Sequence, residues 1–253
     1  MNIEIIPCLN DNYSYIIKDD QTNTVAIIDP SEFGPCDEKV NQKYKKLDFI
    51  LNTHHHFDHV GGNAELKKKY GSKILGYEKD KERIPEIDIL LKENQEFKVG
   101  NLNLKTIFIP GHTSGHIAFY LEKEKVVFTG DTLFSLGCGR VFEGTYKQMF
   151  DSLNKIKSLP ENTKVYCGHE YTKNNFGFCL KFNPNNNYLK DKEKFIEAKI
   201  KEKKPTIPST IKDEIQTNIF LRYDDLDVRN ALNLKKASDL EIFTKLRDLK
   251  DNF

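Results

Sequence analysis

Tryptophan is absent from this 253-residue chain and methionine occurs twice, so aromatic packing falls to 17 Phe and 11 Tyr. No apolar run approaches the roughly 20 residues of a membrane-spanning helix, and no membrane association is expected. Residues 1–7 are short, include Glu4 and read as a first strand, so no secretory leader is expected. An excess of one charge is also missing. Lys and Arg number 39 against 38 Asp and Glu, for a net charge of +1. That balance argues against the general basic field of a nucleic-acid binder. Residues 171–253 hold 17 basic and 13 acidic residues, which reads either as a solvated helical surface or as a surface facing an anion. The five cysteines (Cys8, Cys36, Cys138, Cys167, Cys179) are odd in number and form no Cys-x-x-Cys. A disulfide framework is therefore not expected, and a reducing cytoplasm fits. Cys138 sits in a glycine-rich segment with no evident histidine to activate it, and reads as structural.

What the chain has is an ordered series of histidines. All seven lie between His54 and His169. Thr53-His54-His55-His56-Phe57-Asp58-His59 reads His-x-His-x-Asp-His, followed by Gly61-Gly62. The apolar run 47–51 before it reads as a buried strand, and 63–70 after it as a short helix. Side chains on such a strand-to-helix loop can converge on one point, and imidazole with carboxylate suits zinc, iron or manganese. His112 and His116 lie in Pro110-Gly-His-Thr-Ser-Gly-His116, Asp131 in Thr129-Gly-Asp-Thr132, and His169 in Cys167-Gly-His-Glu170. Each of these segments follows a β-like run, so four strands would deliver His and Asp to a common edge.

Short strands with turn signals are expected at 3–6, 13–17 and 25–28, as a meander. A surface helix is expected at 37–44, and further strands at 73–75, 95–99, 102–108, 117–121, 125–129 and 164–166. Residues 146–158 place Met149, Phe150, Leu153 and Ile156 at helical spacing. From about Tyr171 strand signals fade. Residues 188–203 and 237–249 read as amphipathic helices punctuated by Pro205 and Pro208, and the asparagines at 183–187 as a loop. The pattern itself gives an α/β or α+β class. A domain of residues 1–170 and a helical appendage of 171–253 are expected.

The order His-x-His-x-Asp-His, His112, Asp131, His169 resembles the metallo-β-lactamase superfamily. The stretches 53–63, 110–116, 128–134, 137–140, 143–145, 166–171 and 205–210, with Arg247 and Lys250-Asp251, resemble the glyoxalase II (hydroxyacylglutathione hydrolase) family over nearly the whole chain. The resemblance implies an αββα sandwich with a C-terminal helical, glutathione-binding domain. It implies two divalent ions, zinc first with iron or manganese as alternatives. His54, His56 and His112 would bind one ion; Asp58, His59 and His169 the other; Asp131 would bridge both. The implied reaction is hydrolysis of S-D-lactoylglutathione and related 2-hydroxyacyl thioesters to D-lactate and glutathione. The hydroxide between the ions would be the nucleophile, with Asp58 and Asp131 holding the centre. His55 alternates with two ligand positions and should point elsewhere. Asp29 and His116 are candidates to orient the ligands. For glutathione the implied contacts are Arg140, Phe142, Tyr171, Arg247 and Lys250. Phe142 stands where the family commonly has Tyr and cannot donate a hydrogen bond. Read alone, Arg247 and Lys250 are basic residues near a helix C-terminus, favoured by its dipole. A small-molecule thioester is the expected partner, and a monomer the expected state.

Two other readings are open on the residues. One is a related enzyme such as a mononuclear-iron persulfide dioxygenase. The second-site set Asp58, His59, His169 and the Arg247/Lys250 pair disfavour it. The other is a non-catalytic, metal-stabilised binding module, against which stands the full ligand set in glycine-rich surroundings.

Overall fold

A computed structural model describes residues 1–253. The chain forms two compact units: Met1–Phe108 with Gly115–Gly130, and Ile109–Ser114 with Asp131–Phe253.

The first unit starts with the expected meander, β1 (Asn2–Cys8), β2 (Asn12–Lys18) and β3 (Val25–Ile28). Its register pairs Ile5 with Tyr15 and Ile16 with Ile27. All four residues of β3 are buried, which explains an uninterrupted apolar run where a one-sided strand would alternate. The sheet then turns parallel through β4 (Phe49–Leu51), β5 (Lys73–Tyr77) and β6 (Ile89–Leu91). Parallel neighbours need crossovers. These contain α1 (Phe33–Lys43), the four-residue α2 (Phe57–Val60) and α3 (Asn63–Tyr70). Cys36, Val40 and Leu66 from α1 and α3 pack with Ile16, Ile27, Ile50 and Ile74. The sequence places the start of α1 four residues too late. Gly34 and Pro35 look like breakers, but Pro is tolerated in the first turn, where its missing N–H has no intrahelical partner. Four antiparallel strands follow: β7 (Glu96–Val99), β8 (Leu102–Phe108), β9 (Ile117–Leu121) and β10 (Val126–Gly130). Aromatic pairs join them to the first sheet, Tyr15 to Phe128 at 5.2 Å, Phe49 to Phe97 at 5.1 Å and Tyr77 to Phe108 at 4.7 Å between ring centres.

The second unit opens with a small hairpin, β11 (Leu133–Phe134) and β12 (Gly137–Cys138). Helix α4 (Tyr146–Lys157) carries a capping box of Thr145 and Gln148 and buries Met149, Leu153 and Ile156, as its spacing predicts. Strand β13 (Lys164–Cys167) is followed by α5 (Thr172–Phe182) and α6 (Asn187–Lys201). Strand β14 (Ser209–Thr210) pairs with β13, and α7 (Ile211–Thr217), α8 (Leu226–Ala231) and α9 (Asp239–Asp251) complete the chain. Capping boxes start α7 and α9. Phe178, Phe220 and Phe243 form an aromatic core among the helices, with ring contacts of 5.8 and 6.1 Å. Sequence periodicity finds α6 and α9 but not α5, whose asparagines and Gly177 are poor helix formers.

All five cysteines are free and buried. Burial pushes the Cys167 and Cys179 thiols up to about 12. No helix is long and apolar enough to cross a membrane.

Candidate active site

In the first unit the histidine motif leaves the end of β4. The amides of Asn52 and Asn63 bond to each other at 2.8 and 3.3 Å, and Asn52 Nδ2 also donates to the His59 carbonyl at 3.1 Å. The loop is thus tied at both ends. Asp29, at the end of β3, organises its middle. One carboxylate oxygen accepts the Thr53 amide at 2.7 Å. The other accepts the Thr53 hydroxyl at 2.6 Å and His59 Nδ1 at 3.1 Å. Because the Thr53 proton goes to Asp29, Thr53 Oγ1 must accept from His54 Nδ1, 3.1 Å away. Both rings therefore carry the proton on Nδ1, and Nε2 is the nitrogen that can ligate.

The His54 and His59 rings are 4.1 Å apart, and the His56 ring is 4.8 Å from His54. Ligand atoms of Asp29, His54 and His59, all buried, lie within 4.8 Å of one another. Asn12 Nδ2 holds the Asp58 carboxylate at 2.9 Å. His55 keeps its ring 5.0 Å from that of His56. Its Nδ1 lies 3.2 Å from the buried Asp80, which also binds Arg83. His116 stacks on His54 at 4.6 Å. Gly130, at φ +46, closes against Thr53 and His116: a Cβ there would lie 2.4 Å from Thr53 Oγ1 and 2.8 Å from His116 Cε1.

In the second unit His112 Nδ1 donates to the Arg140 carbonyl at 2.8 Å, so Nε2 is again the ligating nitrogen and lies 3.5 Å from Asp131 Oδ2. His169 Nε2 lies 3.2 Å from the same oxygen. The Asp131 carboxylate thus sits between two imidazoles. Gly139 is required beside it, since a Cβ would lie 1.9 Å from the Asp131 carbonyl. The Tyr171 ring stacks on His169 at 4.7 Å. The Phe142 side chain is exposed, its ring 5.3 Å from that of His112.

The basic residues meet at the end of α9. Arg140 donates through Nε to Asp251 Oδ1 at 3.0 Å and through Nη2 to the Asp251 carbonyl at 2.9 Å. Arg247 shares Asp251 Oδ1 at 2.9 Å, donates to the Cys138 carbonyl at 2.7 Å and lies over Phe220. Arg247 is buried, so a good part of its side chain serves to tie α9 to β12. Lys250 contacts Asn174 Oδ1 and lies over the Phe253 ring at 4.9 Å. Burial, then the Arg247 charge, pulls the Lys250 ammonium down to about 8. Sequence reasoning assigns no role to Asn12, Asp80 or Asp251. Arg247 and Asp251 do stand at i, i+4, a signal that could have found the last.

A divalent cation fits these groups. Buried imidazoles with Nδ1 engaged and carboxylates held by neighbouring donors are the chemistry of zinc, iron or manganese sites.

Residues 9–169 match the metallo-beta-lactamase superfamily, and residues 170–253 match the hydroxyacylglutathione hydrolase C-terminus. A structure of ETHE1 from Myxococcus xanthus is similar, with a TM-score of 0.70 at 22% identity, covering 98% of this chain and 90% of that one. The chain belongs to the metallo-β-lactamase superfamily, with its mixed α/β sheets followed by C-terminal helices, the fold class expected from the sequence. A hydroxyacylglutathione hydrolase of Pelagibacter ubique is 55% identical over the full length of both chains, and one of Methylococcus capsulatus is 43% identical over 98% of this chain and 97% of the relative. Within the superfamily the chain falls among the hydroxyacylglutathione hydrolases.

Proposed function

We propose that this chain is a thioester hydrolase that converts S-D-lactoylglutathione and related 2-hydroxyacylglutathiones to the hydroxy acid and glutathione. The observation that carries this reading is end-to-end likeness to relatives named for that activity, including the C-terminal segment. Two ions are proposed, most simply zinc. His54, His56 and His112 would hold one, Asp58, His59 and His169 the other, and Asp131 would serve both. When bound, such ions supply a hydroxide nucleophile at neutral pH and a Lewis acid for the charge developing on the thioester carbonyl. The chain's own groups prepare the ligands. Asp29 and Thr53 fix the tautomers of His54 and His59, the Arg140 carbonyl fixes His112, and Asn12 holds Asp58.

Arg140, Tyr171, Arg247 and Lys250 receive the glutathione end, with Phe142 giving apolar contact only. Arg247 acts as much by tying α9 to β12 as by charge. Residues 1–170 serve as the metal-binding part and 171–253 as the glutathione-binding part. The near-neutral charge fits a small-molecule partner better than nucleic acid, and a monomer without membrane association is proposed. Five free, buried thiols support a cytoplasmic setting. The test is loss of thioester absorbance with purified, metal-loaded protein. No turnover above a metal-only control would reject the reading.

A further inference from the structure

The hairpin β11–β12 lies between Asp131 and Arg140, yet has only two paired positions, Leu133 with Cys138 and Phe134 with Gly137. Its tip residue Leu136 is at φ +61. So short a ladder does not hold itself in water, and its buried backbone groups need partners. They find them on the helices. Asn175 Nδ2 donates to the Ser135 carbonyl at 3.1 Å and Cys179 Sγ to that of Leu136 at 3.2 Å. Asn218 Nδ2 donates to the Gly137 carbonyl at 3.0 Å, and Arg247 to that of Cys138. These groups are all donors. The Leu136 amide needs an acceptor, and Glu214 of α7 supplies it, Oε2 lying 2.8 Å away. Asn218 Nδ2 donates to the same oxygen at 2.9 Å. Glu214 is fully buried, and burial pushes its carboxyl above the ordinary value. A carboxyl group in a core costs folding energy. An apolar residue of the same volume would suit α7 better if packing were the only demand.

We propose that Glu214 is a positioning residue for substrate binding: through the Leu136 amide it holds residues 133–140 in the conformation that presents Arg140 to the glutathione moiety. The inference rests on the proposed reading of Arg140 as a substrate contact. Glu214→Met keeps the volume and removes the acceptor. The buried Leu136 amide and Asn218 Nδ2 then lose that acceptor, which is destabilising, while the cost of burying a carboxyl is relieved.

The experiment uses the metal-loaded full chain with Glu214→Met, Glu214→Gln, Arg140→Ala and the Glu214→Met/Arg140→Ala double variant. KM and kcat for S-lactoylglutathione are measured beside thermal melts and amide hydrogen exchange of residues 133–140. Glu214→Met is expected to fold with a lowered melting temperature, exchange faster in that segment and raise KM roughly tenfold with little change in kcat. Glu214→Gln, a weaker neutral acceptor, should fall between. In the Arg140→Ala background the Met substitution should leave KM nearly unchanged, as coupled residues are non-additive. An equal rise in both backgrounds would overturn the proposal, as would unchanged exchange and KM. If Glu214→Met does not fold, Glu214→Gln decides: normal KM with normal exchange sinks the assignment. Exchange is read without substrate. A parent enzyme with no thioester turnover therefore sinks the functional reading alone, whereas unchanged exchange sinks the role of Glu214.

Discussion

His59 Nδ1 and Asp29 Oδ2 lie 3.1 Å apart, and the same carboxylate takes both the amide and the hydroxyl of Thr53. One side chain therefore sets the orientation of two imidazoles, His59 directly and His54 through Thr53. Asp29→Ala should weaken metal binding about 10- to 100-fold, the usual cost of losing such an orienting partner. The measurement is metal retained after dialysis against graded chelator. An Asp29→Ala protein that holds metal like the parent would show that the loop orients its histidines without this carboxylate.

Asp131 Oδ2 lies within reach of both His112 and His169. If it serves two ions, Asp131→Ala should lower the content of both, whereas His169→Ala should empty chiefly one. Elemental analysis of the two proteins decides. Equal losses of one ion each would rule out the bridging role.

The Lys250 ammonium, pulled down to about 8 by burial and by Arg247, makes a prediction with a sign. Binding a substrate carboxylate needs the charged form. Affinity should be full below that value and fall as pH rises through it, so KM rises on the alkaline side while kcat does not follow. Lys250→Arg keeps its charge at any working pH and should flatten the rise. Lys250→Ala should raise KM roughly tenfold to a hundredfold, the worth of a charge-assisted hydrogen bond. A KM that ignores pH between 7 and 9 (roughly one unit either side of the shifted value) would remove Lys250 from the carboxylate.

Phe142 is exposed, with its ring against His112. Phe142→Tyr adds only a hydroxyl at an open position. It should lower KM for the glutathione thioester two- to fivefold, the worth of roughly 0.5–1 kcal/mol for one neutral hydrogen bond, with the melt unchanged. An unaltered or raised KM would mean the hydroxyl finds no substrate group there.

The parts legible in the sequence are those encoded locally. The residues of α3, α4 and α9 carry helical spacing, and Gly71, at φ +70, closes α3 with its N–H on the Lys67 carbonyl. The motif histidines are neighbours in sequence, so their clustering needs no long-range signal. What escaped notice is written over long separations. Asn12 reaches Asp58 across 46 positions, and Arg140 reaches Asp251 across 111. Neither pair leaves a periodicity or turn signal. Strand β6 and helix α2 were hidden for a different reason: at three and four residues they are too short for a hydrophobic period to repeat.

The burial of all five thiols turns them into clocks. A native molecule offers a disulfide reagent almost no reachable sulfur, because a thiol must be accessible to react and these side chains are shielded. Labelling must wait for an opening event, so its rate counts openings directly. Cys8 and Cys36 belong to the first unit, and Cys138, Cys167 and Cys179 to the second. Mass spectrometry of which cysteine is modified first would therefore time each half of the molecule separately, using sulfur already present and no engineered probe.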